Sequence, residues 1–326
     1  MLSLFSSKPK PSPPPQPRNM LELLPPEICK QIYEKACDDD GRTGRALSLT
    51  SRYVHDVSAE FKYRSIAIWG MPQILKCFKV LEAKPPHLRR IIHLFISAHE
   101  QIRPGEKGPI DGYQWAMQTH YGYACDAFYG ILGFAAPTVR TFYLCSSVAR
   151  PTVLLSTPMP ELVEFTLFNG FPAVPTMAPP SVDFPSLKRI RFCGFTDHSK
   201  TTFHEIRTRA PNVTHLFFQC QRTADDLLED IASVFGLDLP PNRPFKRFED
   251  EFLDKIEEIR VEAPNKRKGF FSVAYQRMVK KIMLLEPRIR VTIVPTKERV
   301  DSEYALLDWL RDSTREWNFP VPHSFV

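Results

Sequence analysis

An eight-residue template occurs four times in the middle of the chain, and this repeat limits the possible folds more than any other feature. Each copy starts with proline and carries apolar residues at its third, sixth and eighth positions. The copies start at Pro137, Pro160, Pro185 and Pro211, so they lie 23, 25 and 26 residues apart. Chance is a poor explanation of four copies, and such spacing is typical of chains built from repeated structural units. The sixth and eighth positions lie two residues apart, which predicts a β-strand in each copy.

Weaker copies and helical segments extend the pattern on both sides. Three further strands are predicted, within 88–96, 256–261 and 287–293. Apolar residues at helical spacing predict intervening helices over 112–134, 201–209, 223–234 and 270–285. A last helix is predicted over 301–317. The succession of strand and helix predicts an α/β chain that forms a curved solenoid, with the last helix as a cap on its open end.

The repeated strands resemble those of leucine-rich-repeat proteins, in which the strand reads L-x-x-L-x-L. The resemblance covers roughly 86–295 and is strongest over 137–220. It implies an irregular leucine-rich-repeat-like domain over 69–326 that recognises another protein.

The two faces of the repeated strands have different predicted roles. The side chains at the sixth positions, Phe142, Phe165, Ile190 and Leu216, should stack as one buried column. The alternate positions place Tyr143, Arg191 and Phe217 together on the opposite face. Aromatic residues and arginine dominate interface anchors, so these three are the candidate target-binding residues. The alternative is that a terminal loop or the C-terminal helix covers this face.

The N-terminal part of the chain has a different character. Residues 1–19 form a proline-rich tail that cannot bury apolar surface. A helix is predicted over 26–37, where proline stands at the start and apolar residues recur at helical spacing. A second helix is predicted from Ala46 to Phe61, followed by a strand over 64–68.

Residues 20–68 resemble the F-box-like domain that is common in basidiomycete fungal proteins. The residues that carry the resemblance are the LPPEI segment at 24–28, the ALSLTSR segment at 46–52 and the FKYRSI segment at 61–66. The resemblance implies docking to the Skp-type adaptor of a cullin-RING ubiquitin ligase. The residues that it implies for this contact are Leu24, Pro25, Ile28, Ile32 and Leu49. The alternative is a plain helical cap whose apolar stripe forms its own core.

Charge and cysteine usage limit the remaining functions. The net charge is +6, but acidic and basic residues are mixed along most of the chain, so nucleic-acid binding is not required. Residues 264–290 are the exception: they contain eight basic residues and one acidic residue, which offers a patch for an anionic partner. The seven cysteines are scattered singly, which predicts reduced thiols in the cytoplasm or nucleus. No run of apolar residues is long enough to span a membrane.

Motifs for catalysis, metals and cofactors are missing from the sequence. It has no P-loop, nucleophile elbow, dinucleotide fingerprint or zinc helix, so we expect no enzyme, no metal and no cofactor. The one nucleophilic pair to consider is Cys193 with His215. We therefore expect the substrate-recognition subunit of an SCF-type ubiquitin ligase; a ligase-independent scaffolding protein and an unrecognised hydrolase are the alternatives.

Overall fold

The computed structural model describes most of the region in which the sequence predicts helices and strands. The described residues are 23–98, 121–145, 153–154, 157–168, 172–173, 182–195, 202–220, 225–234, 254–264 and 290–296, together with 306, 309 and 310. The proline-rich tail 1–19, the predicted helix 270–285 and nearly all of the basic segment 264–290 lie outside these residues.

Eight strands form one parallel sheet, and they are ordered in the sheet as they are in the chain. These strands are β1 (Ser65–Trp69), β2 (His93–Ser97), β3 (Thr141–Cys145), β5 (Glu164–Phe168), β7 (Arg189–Phe195), β8 (His215–Cys220), β9 (Glu258–Pro264) and β10 (Arg290–Thr296). Two short strands, β4 (Val153–Leu154) and β6 (Pro172–Ala173), form a separate parallel pair. All four copies of the template therefore end in a strand of the large sheet, as predicted.

Seven helices accompany the strands within the described residues. They are α1 (Pro26–Ala36), α2 (Arg42–Leu47), α3 (Arg52–Ser58), α4 (Gly70–Glu82), α5 (Tyr121–Ala135), α6 (Thr202–Arg209) and α7 (Asp225–Val234). The predictions for α1, α6 and α7 agree with the structure to within two residues at each end. The sequence-based prediction missed α4, although Ile74, Phe78 and Leu81 stand at helical spacing.

The predicted second helix, Ala46 to Phe61, is wrong because the chain forms two helices there. Ser51 has an extended backbone (φ −156°, ψ 168°), and its hydroxyl accepts a hydrogen bond from the Val54 N–H at 3.3 Å. This is N-capping by serine, which favours the start of a new helix. The apolar residues at helical spacing across 46–61 therefore belong to two separate helices and not to one.

The predicted buried column is confirmed. Phe142, Phe165, Ile190 and Leu216 are directly opposite one another in successive strands, and each is 2 or 3% exposed. The rings of Phe142 and Phe165 stack with centroids 5.4 Å apart. Helices α4 and α5 cover one end of this face, where the rings of Phe78 and Phe134 stack at 5.8 Å. The larger core of the protein lies on this side of the sheet.

The α/β class is confirmed, but the expected leucine-rich-repeat solenoid is not. The strands form one open sheet, and the connections between them are unlike each other. A helix of 15 residues precedes β3, whereas the described parts of the connections from β3 to β5 and from β5 to β7 contain only turns and the short strands β4 and β6. A solenoid requires similar units that stack one on the next, and this irregular series of connections does not supply them.

Candidate docking surfaces

The N-terminal helices α1, α2 and α3 form a small module with its own core. Cys29, Tyr33 and Val54 are at most 1% exposed, and the half-buried Leu24 and Phe61 pack against them. Because Cys29 and Tyr33 lie four residues apart, they share one face of α1. The module core is therefore built from this stripe of α1 and from its partners on α3.

A neighbouring stripe of α1 faces outward. Ile28 and Ile32 also lie four residues apart, and each is 43% exposed. Leu49, which follows the C-cap residue of α2, is 86% exposed. The alternative that the stripe of Ile28 and Ile32 forms the module's own core is therefore wrong. Ile28, Ile32 and Leu49 are thus aliphatic side chains of the module that are open to contact with another protein.

Leu24 and Pro25 have a positioning role at the start of α1. The Leu24 carbonyl accepts a hydrogen bond from the Tyr53 hydroxyl at 2.8 Å, which ties the chain before α1 to α3. Pro25 is exposed, and its carbonyl accepts hydrogen bonds from the N–H groups of Ile28 and Cys29, both at 3.1 Å. Leu23, which the sequence-based prediction did not include, is 63% exposed.

Ion pairs fix the module to the sheet. Arg64, directly before β1, donates to Asp38 at 2.6 Å and to Glu34 at 3.2 Å. His93 at the start of β2 lies 3.5 Å from the same Asp38 carboxylate. Burial acts to raise the pKa of Asp38, but the hydrogen bonds from His93 and Arg64 outweigh it and hold this pKa below its usual value. The module and the first two strands are thus joined by a charged contact.

The predicted target-binding residues share one face of the sheet, as expected, but two of them are buried. Tyr143, Arg191 and Phe217 lie in one column, with Thr166 between the first two. Tyr143 is 2% and Phe217 is 5% exposed, so the prediction that this face is open is wrong for both aromatic rings. Arg191 is half-buried, and its guanidinium lies 4.8 Å from the centroid of the Phe217 ring.

The C-terminal part of the chain contributes to this burial. Leu306 and Trp309 belong to the same apolar cluster as Tyr143. The ring of Trp309 lies 5.6 Å from that of Phe95 on β2. Segment 301–317 was predicted to cap the open end of the solenoid. That prediction is wrong for its described residues, Leu306, Trp309 and Leu310, which lie over the face of the sheet. The physical reason is that this face carries large aromatic rings near its N-terminal edge, and their burial stabilises the fold.

The nucleophilic pair considered from the sequence, Cys193 with His215, is not brought together by the fold. Cys193 is opposite Gln219 in the sheet, whereas His215 is opposite Arg189. The four-residue offset along the strand separates Cys193 from His215 by about 13 Å, too far for a nucleophile and its base. Burial raises the pKa of the Cys145 thiol well above its usual value. No cluster of three or more potential metal ligands occurs among the described residues.

Comparison with known proteins does not assign the chain to a family. No protein-family model matches it, and neither a curated protein nor a solved structure shows significant similarity. Of the helices that the structure describes, none has the length and apolar character needed to cross a membrane.

Proposed function

We propose that this chain is the substrate-recognition subunit of an SCF-type cullin-RING ubiquitin ligase, with α1 to α3 as an F-box-like module that binds a Skp-type adaptor. The observation that carries the proposal is the exposure of Ile28, Ile32 and Leu49 on a module whose core is complete without them. Burial of an aliphatic side chain contributes about 1.5 to 3 kcal/mol, so three such residues support a stable contact. The protein then supplies proximity while its partners perform the chemistry.

The leucine-rich-repeat-like strand pattern supports a recognition role for the sheet domain. Residues of the strand face, such as Arg191, would then contact the target protein, and use of Tyr143 and Phe217 would require displacement of the segment that carries Trp309. In this proposal the protein acts in the cytoplasm or nucleus, where the ligase machinery operates.

Adaptor binding tests the first step. The variant Ile28→Asp/Leu49→Asp should lose co-purification with a Skp-type adaptor, because two charges replace apolar contacts while the buried Cys29 and Tyr33 remain in place. The control is Tyr123→Asp, which places the same charge on a residue that is 69% exposed on α5. Equal adaptor recovery from the double variant and the control would refute adaptor docking at this surface and favour a ligase-independent scaffolding role.

A further inference from the structure

A cleft of about 380 Å³ runs along the outer edge of β1. Within the described part of the chain, β1 pairs only with β2 and forms the end of the sheet. Four consecutive residues of β1, 65–68, line the cleft, so it lies alongside this strand. One wall consists of Gln73, Lys76, Cys77 and Val80, whose spacing places them on one face of α4. The opposite wall comes from Asp40 and Gly41 in the turn before α2, from Arg45 on α2, and from the residues 62 and 63 that precede β1.

The backbone of Ala67 is directed into this cleft. The Arg64 carbonyl accepts from the Ile92 N–H at 2.7 Å, so it faces β2. The Trp69 N–H donates to the Gln73 side chain at 3.2 Å, so it faces away from β2. Peptide groups alternate in direction along a strand, so Ala67 has its N–H and C=O on the same side as the Trp69 N–H. An edge of this kind is a template for an added strand.

The cleft is also positively charged. Arg45, Lys62 and Lys76 line it, and none of the three forms an ion pair with another described residue. The one lining carboxylate, Asp40, is paired with Arg42 at 2.8 Å. Cations without a carboxylate partner beside an open strand edge favour a ligand that carries carboxylates.

We propose that this cleft binds a short acidic peptide segment of a partner protein, which adds to the edge of β1 through Ala67 and places its carboxylates near Arg45, Lys62 and Lys76. The chain's own tail does not fit this description, because residues 1–19 contain Lys8, Lys10 and Arg18 but no acid. The many prolines of the tail also lack the N–H group that strand addition uses. The proposal is independent of adaptor docking, which uses the outward face of α1 and Leu49.

The test measures fluorescence anisotropy of a labelled peptide of alternating glutamate and valine, titrated with the full chain. We expect saturable binding that weakens with salt, and no binding of the matched lysine and valine peptide. Arg45→Glu/Lys76→Glu should weaken binding by about tenfold or more. The matched control is Lys79→Glu, which is exposed on the same helix outside the cleft and should leave the affinity unchanged. Absence of binding, or an equal loss in the control, would overturn the proposal.

A second measurement tests the backbone contact without altering the protein. A peptide of the same sequence, N-methylated at alternate residues, cannot donate the hydrogen bonds of a strand, and it should bind about tenfold more weakly when the methylated residues face β1. Equal affinity for the methylated peptide would overturn strand addition. Tighter binding of a labelled oligothymidylate, lost in Arg45→Glu/Lys76→Glu, would identify the cleft as a nucleic-acid site and overturn the peptide assignment.

Discussion

Replacement of Ile190 with alanine should strongly lower the free energy of unfolding. Ile190 is 3% exposed and lies between Phe165 and Leu216 in the buried column. Strands on both sides hold its neighbours in register, so they cannot move inward to fill the space. The loss of a buried Ile side chain then costs about 2 to 5 kcal/mol, while Ile190→Val should cost only about 0.5 to 1.5 kcal/mol.

Urea denaturation followed by circular dichroism measures this effect. The alanine variant should also melt several degrees below wild type, because the same loss of free energy lowers the melting temperature. Val182→Ala is the control, because Val182 is 54% exposed and its truncation should change stability by less than about 0.5 kcal/mol. If Ile190→Ala and Val182→Ala unfold at the same urea concentration, the column does not form the core and the strand register is wrong.

Three further predictions concern the charged contact, the covered face and the buried thiols. Because the pKa of Asp38 is lowered in the folded chain, its contribution to the free energy of unfolding is present above its unfolded pKa and is lost as pH falls through the lower folded pKa. Asp38→Asn should therefore flatten the dependence of the free energy of unfolding on pH in that acid range. An unchanged pH dependence would contradict the pairing with Arg64. Trp309→Ala should cost about 3 to 5 kcal/mol, because Trp309 is 3% exposed against Phe95; wild-type stability in urea denaturation would show that the C-terminal segment does not cover the sheet. Cys145 is fully buried, and burial raises the pKa of its thiol well above the usual value. Iodoacetamide at pH 8 should therefore alkylate Cys145 far more slowly in the native chain than in urea, and equal rates by peptide mass spectrometry would refute its burial.

The strands were more predictable from the sequence than the helices, for a physical reason. A strand of this sheet needs only apolar side chains two residues apart and a turn before it, and the prolines at 137, 160, 185 and 211 mark those turns. Helix boundaries depended on single contacts, such as the bond from the Val54 N–H to Ser51 that starts α3. The cationic residues of the cleft gave no signal, because Arg45, Lys62 and Lys76 come from separate elements.

The strand register and the buried face could be read from the sequence alone, because alternation along a strand is a local property and proline spacing repeats it from one strand to the next. Which stripe of α1 is buried depends instead on contacts with α3. Ile28 with Ile32 and Cys29 with Tyr33 have the same four-residue spacing, and contact with Val54 on α3 selects the second pair for the core. The covering of Tyr143 likewise depends on contacts between distant parts of the chain, since Trp309 and Phe95 are separated by more than half of the chain and no local pattern links them. Such long-range contacts depend on complementary apolar surfaces that meet only when the whole sheet has formed.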